Sequence, residues 1–185
     1  MRYFIREATL FLRGDFVGAS TAVHGGIGRV STIFNHSVPE DWDGSDPRAY
    51  IQRLARREGF GEDAFGLLTA VALSNLCILQ YDMLTVFVTA GVRESAPALP
   101  GTINLIIYSR EGLSPSALLE TIIVATEAKT RGLQAAGYSC TGTPTDAVVV
   151  ASEGEEKHVY AGVLTEVGRR VYAAVQFGVE QALKR

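Results

Sequence analysis

The chain has 185 residues, a net charge of −3 from 17 Lys and Arg against 20 Asp and Glu, and a hydrophobic fraction of 47%. That length suits one domain with a full core. Its dispersed basic residues speak against nucleic acid, because neutralising phosphates needs a basic face. No stretch reaches the ~18–20 apolar residues of a membrane-spanning helix, and Met1-Arg2-Tyr3-Phe4-Ile5-Arg6-Glu7 carries charges where a signal peptide is apolar. The expectation is therefore a single cytoplasmic domain over residues 1–185, without a membrane or nucleic-acid partner.

In chain order, Arg2 to Leu12 predicts a strand or hairpin, with a turn at Gly14-Asp15. Val17 to Val30 is rich in Gly and small residues, and Gly25-Gly26-x-Gly28 allows close backbone approach to a ligand or another segment. Arg29 to Phe34 reads as a strand ending at Asn35-His36, and Asp41-Trp42-Asp43-Gly44 as a loop. Ser45 or Asp46 before Pro47 marks a helix start, with Tyr50, Ile51, Leu54 and Ala55 at helical spacing and a stop at Gly59. The solvated side of this helix accounts for Arg53, Arg56 and Arg57.

Ala64 to Leu73 predicts a short buried helix. Leu76 to Tyr81 and Leu84 to Thr89 predict strands joined at Tyr81-Asp82-Met83. Gly91 to Pro100 predicts a loop, and Gly101 to Ser109 a buried strand. Ser114-Pro115 opens the longest helix, which runs to Gly137 with Leu118, Ile122 and Ala125 on one face and a polar stripe at Glu120, Glu127, Arg131 and Gln134. Ala147 to Ala151 and His158 to Ala161 predict a strand pair around Glu153 to Glu156. Thr165 to Leu183 predicts an amphipathic helix with Val167, Val171, Val175 and Val179 at four-residue spacing. The fold class is α/β, a layered α+β arrangement with a mixed, largely antiparallel sheet and packed helices.

Chemistry concentrates in few places. Thr141-Gly142-Thr143-Pro144-Thr145-Asp146 presents hydroxyls and one acid from a backbone restricted by Gly142 and Pro144. Asp146 either orients a hydroxyl or water, or bonds its own turn. Glu127 and Lys129 lie about 200° apart on an ideal helix and do not pair, whereas Glu127 and Arg131 at i and i+4 can. The alternative for Glu127 is a pocket-facing position, where burial raises its proton affinity.

Of the three histidines, His24 precedes the permissive Gly25-Gly26, His36 ends a strand, and His158 follows an acidic turn. No zinc-binding His spacing occurs, and Cys77 and Cys140 make neither a disulfide framework nor a Cys-x-x-Cys pair. Phosphate-loop and dinucleotide motifs are absent too.

Read in order, a series of segments resembles the adenosylcobinamide amidohydrolase family of corrinoid salvage enzymes. The series runs Gly25-Gly26, Asn35-His36-Ser37-Val38, Gly66-Leu67-Leu68-Thr69-Ala70 and Val88-Thr89-Ala90-Gly91. It continues with Gly101-Thr102-Ile103-Asn104, Thr126-Glu127-Ala128-Lys129, Thr141-Gly142-Thr143-x-Thr145-Asp146-Ala147 and Tyr160-Ala161-Gly162. The resemblance implies hydrolysis of the amide joining the aminopropanol arm of adenosylcobinamide to the corrin ring, releasing adenosylcobyric acid. It makes the corrinoid a substrate and requires no certain cofactor; a divalent metal is compatible with it.

Amide hydrolysis needs a base, oxyanion donors and an acid for the leaving amine. The candidate catalytic residues are Glu127 or Asp146 as base, with Lys129 or His24 as donor. Candidate substrate-binding residues are Gly25, Gly26, Asn35, Asn104, Thr141, Thr143 and Thr145, the Gly25-Gly26 and Thr141-to-Thr145 amides completing the oxyanion site. No residues are assigned as metal ligands. Two alternatives stay open: a corrinoid-binding protein without turnover, and a metal-assisted hydrolase of another amide using His24, His36 and a carboxylate.

Overall fold

The computed structural model describes residues 1–39, 41–60, 63–92 and 101–184. One sheet dominates, built from β1 (Arg2–Arg6), β2 (Thr9–Ser20), β3 (Gly26–Ser37), β4 (Ala64–Thr69), β5 (Cys77–Tyr81), β6 (Leu84–Gly91), β7 (Thr102–Ser109) and β9 (Ala147–Ser152). Three α-helices accompany it among the described residues: α1 (Pro47–Arg57), α2 (Pro115–Ala135) and α3 (Glu166–Ala182). Short strands β8 (Gly112–Leu113) and β10 (Glu156–His158) form a separate pair.

The sheet order is β4-β3-β2-β9-β7-β6-β5, with β1 added to β2. Only β3 with β4 and β7 with β9 run parallel; the other pairings are antiparallel. This is the mixed, mainly antiparallel sheet expected from the sequence.

The sheet curls strongly. Although β2 and β9 separate β3 from β7 in the order, Asn104 Nδ2 of β7 donates to Asn35 Oδ1 of β3 at 2.9 Å. The inner face closes on itself through Leu10, Ile33, Leu67, Phe87, Ile106 and Val149. Outside, α2 and α3 cover one half of the sheet, burying Val167, Val171, Val175 and Val179 against Val86, Leu105 and Val150. Helix α1 covers the other half with Ile51, Leu54 and Ala55 against Phe11 and Phe34. Arg53, Arg56 and Arg57 are exposed on its far side.

Each helix begins at a residue type suited to the job. Asp46, Ser114 and Thr165 accept through their side chains from the amides of Ala49, Ala117 and Gly168, satisfying donors that the first helical turn leaves free. The capping residue of α1 is Asp46, the second of the two candidates.

Four expectations need correction. Ala64 to Leu73 is no helix: Ala64–Thr69 is strand β4, followed by a one-turn 3₁₀ segment at Leu73–Asn75. It is buried almost throughout because one face meets the sheet interior and the other lies under α1, so its apolar run imitates a buried helix. Gly14-Asp15 is not a turn; β2 continues through it with a register shift between Arg13 and Phe16. The reversal falls instead at Glu7-Ala8, both with positive φ.

Strand β3 also begins earlier than expected, at Gly26. Finally, β10 does not pair with β9, because β2 and β7 already occupy both of that strand's edges. It runs parallel to β8 instead. The expected Gly91-to-Pro100 loop lies, from residue 93 onward, outside the described residues.

Candidate active site

The turn from Thr141 to Asp146 carries the chain from the end of α2 into β9, and Asp146 organises it. Its Oδ1 accepts from the Ile103 amide at 2.9 Å and from Thr143 Oγ1 at 2.6 Å. Its Oδ2 accepts from Lys129 Nζ at 2.5 Å and from the Thr143 amide at 3.1 Å. A carboxylate has about four acceptor positions, so this one is filled. Asp146 thereby ties β7, α2 and its own turn together.

Lys129 reaches Asp146 from the inward face of α2, and both side chains are nearly buried, at 8% and 11% exposure. Glu127, on the opposite side of the helix, is exposed. The pocket-facing position considered for it is not what the fold provides. The i,i+4 pair with Arg131 is also not formed; that guanidinium donates to Gln134 Oε1 at 3.2 Å.

Gly142 sits at φ +154°, and a β-carbon there would overlap Lys129 Nζ and Asp146 Oδ2. Only glycine lets the turn close over the ion pair. Thr130 Oγ1 donates to the exposed Thr141's carbonyl at 3.1 Å, fastening the start of the turn to α2.

Asp146 lines an open cleft of about 490 Å³ together with Thr21, Thr69, Thr102, Pro144 and Thr145. Thr102 Oγ1 is 2.9 Å from Thr145 Oγ1, which donates to the Gly101 carbonyl at 3.2 Å. Beneath lies a buried amide network: Asn35 Nδ2 donates to Thr89 Oγ1 at 3.1 Å, and Asn104 Nδ2 donates to Asn35 Oδ1 and to the carbonyl of cleft-lining Leu68 at 2.9 and 2.8 Å. Asn104 Oδ1 is buried without a hydrogen-bond partner among the described residues. Motifs scattered from position 35 to position 146 thus meet at one end of the curled sheet.

His24 follows cleft-lining Val23, and its carbonyl accepts from the Gly66 amide at 2.8 Å. A side chain at Gly25 would strike Ser20 and the Ala22 carbonyl, whereas Gly26, at φ +139°, faces open space. Gly25 therefore serves close packing of the loop, and Gly26 is accessible. His24 and His36 do not gather with a carboxylate: no cluster of three His, Cys, Asp or Glu side chains with metal-ligating geometry occurs among the described residues.

Two residues of the cleft carry no expectation from the sequence beyond a loop assignment. Trp42 and Asp43 line it together with Pro144, Thr145 and Asp146 of the Thr-rich turn. Their only local signal is that a lone Trp sits in an Asp-rich loop. The Asp43 carboxylate accepts from the Ser45 amide at 2.8 Å, and the Ser45 hydroxyl and amide hold it below the usual carboxylate range. His36 is a buried neighbour of this lining. Its burial, reinforced by Arg57, pushes its proton affinity below that of an ordinary histidine, with Glu58 opposing.

No helix among the described residues is long and apolar enough to cross a membrane. The family model for adenosylcobinamide amidohydrolase matches residues 13–185. A Methanosarcina mazei protein named adenosylcobinamide amidohydrolase is 40% identical, over all of this chain and 98% of its own length. A Halobacterium salinarum protein of the same name is 34% identical over 89% of this chain and 78% of its own. On this match, which runs through the Asp146 turn and every strand of the cleft, the chain belongs to the adenosylcobinamide amidohydrolase family.

Proposed function

We propose that this protein hydrolyses the amide joining the aminopropanol arm to the corrin ring of adenosylcobinamide, giving adenosylcobyric acid and the free amino alcohol. The observation that carries this reading is a cleft lined by Asp43, Thr102, Thr145 and Asp146, the last held in place by Lys129 and Thr143, in a chain of this family. At about 490 Å³ the cleft falls within the ~300–1,000 Å³ range of small-molecule sites. It is open enough for a large ligand to insert an arm while its bulk stays outside.

Asp146 has no acceptor position left for a proton from water, so its role in this reading is to position the turn. Asp43 lines the same cleft, retains open acceptor positions and serves as the base. A corrinoid filling the cleft excludes water from Asp43, which raises its proton affinity at the moment a base is needed. The Thr102 and Thr145 hydroxyls, hydrogen-bonded to each other and to the Gly101 carbonyl, become donors to the developing oxyanion by turning toward the substrate. His24 is the candidate acid for the departing amine.

Incubation of the purified protein with adenosylcobinamide, followed by mass spectrometry, tests the reading. Adenosylcobyric acid should accumulate with one equivalent of aminopropanol. Tight binding with no product supports a corrinoid carrier instead, and neither binding nor product overturns the corrinoid assignment.

A further inference from the structure

Trp42 stands at the end of a column of side chains that begins in the sheet. Thr9 Oγ1 on β2 is 2.7 Å from His36 Nδ1 on β3, and His36 Nε2 is 3.1 Å from the Tyr50 hydroxyl on α1. The His36 and Tyr50 rings lie 5.8 Å apart, and the Tyr50 ring meets the Trp42 ring at 5.2 Å. Thr9 and His36 are buried, at 1% and 7% exposure, while Trp42 is half-buried at the cleft.

A residue needed only for packing at position 36 would be apolar, because a buried imidazole must find partners for both nitrogens. Here both are engaged, and one partner is the ring that supports Trp42. The column therefore fixes where the indole stands. The lining of the cleft combines apolar Val38, Pro47 and Leu68 with polar Asp43, Thr102, Thr145 and Asp146. A ligand seated here meets both a flat indole and polar groups.

We propose that Trp42 is the stacking platform for a flat conjugated surface of the ligand, and that Tyr50, His36 and Thr9 are positioning residues that hold it there. The proposal rests on the corrinoid reading of the cleft. That ligand offers two such surfaces, the corrin macrocycle and the axial adenine.

Equilibrium dialysis with adenosylcobyric acid and with dicyanocobyric acid separates binding from turnover, and steady-state kinetics with adenosylcobinamide completes the test. Trp42→Ala should raise KM, and the Kd of adenosylcobyric acid, on the order of tenfold, the loss expected for removing an aromatic contact surface, with kcat changed less than about twofold. Trp42→Phe should restore most of the affinity. Tyr50→Phe, which keeps the ring but releases it from His36, should give an intermediate rise in KM at similar kcat.

A loss for both cobyric acids places the corrin on Trp42, and a loss for the adenosyl form alone places the adenine there; either supports the platform. If the wild type turns over and binds normally while Trp42→Ala keeps KM and Kd within about twofold, the platform is wrong. If the wild type neither turns over nor binds, the corrinoid reading fails and the platform falls with it.

Discussion

Lys129 Nζ donates to Asp146 Oδ2 at 2.5 Å across 17 positions of sequence, joining the inward face of α2 to the head of β9. The pair is nearly buried, and Asp146 is additionally held by Thr143 and Ile103. Removing one member leaves the other desolvated. Asp146→Ala should therefore cost about 3–5 kcal/mol, the usual penalty for orphaning a buried charge. Lys129→Met should cost less, since three donors to Asp146 remain. Urea unfolding of both variants and of Lys129→Met/Asp146→Ala checks this, and strict additivity would contradict the coupling.

Gly142→Ala is a sharper probe of the same turn, because it adds one methyl group and removes no charge. At φ +154° and with the ion pair in the space a side chain needs, the substitution should destabilise the chain by about 1–3 kcal/mol. It should also lower kcat, since Thr143 and Thr145 move with the turn. Thermal unfolding and kinetics measured together reveal whether both effects occur; a neutral Gly142→Ala would show that the turn is not held as described.

The two carboxylates Asp43 and Glu127 are expected to behave differently. Asp43 lines the cleft, whereas Glu127 is exposed on the outer side of α2. Asp43→Asn should reduce kcat by about 10²-fold or more, the lower end for losing a general base. Glu127→Gln should leave kcat within about twofold. The reverse ranking in a turnover assay would return the base to α2.

Acid should weaken the fold first through His36. Its folded-state proton affinity lies below the ordinary value of 6.5, chiefly because of burial, so the unfolded chain binds the proton more readily. Stability therefore falls as pH drops below about 6.5 and stops falling from this source once the folded-state histidine is also protonated. His36→Gln should flatten the change in melting temperature between pH 7.5 and 5. Glu153 acts in a lower window. Burial alone would raise its proton affinity, but the Met1 amine and Tyr108 hydroxyl outweigh it, so its contribution is lost as pH falls below the usual carboxylate range.

Much of the architecture was legible because it follows from local chemistry. Pro47 and Pro115 after capping side chains announce α1 and α2, and four valines at helical spacing announce the buried face of α3. Ala64–Thr69 was not legible, since a short, mainly apolar run buried on both faces carries neither the helical nor the alternating period. The same limit applied to β10, whose neighbour depends on β2 and β7 having already taken both edges of β9.

By itself, the sequence determined the three helices, most of the strands, the family resemblance and the separation of Glu127 from Lys129, all of which follow from neighbours in the chain. Only the tertiary structure decided that Lys129 would meet Asp146, that Asn35 and Asn104 would join inside the curled sheet, and that Trp42 and Asp43 would share a cleft with the Thr-rich turn. These meetings depend on the curl of the sheet and on where α1 and α2 pack against it. Both are set by burial summed over the whole core, a quantity no short stretch of sequence contains.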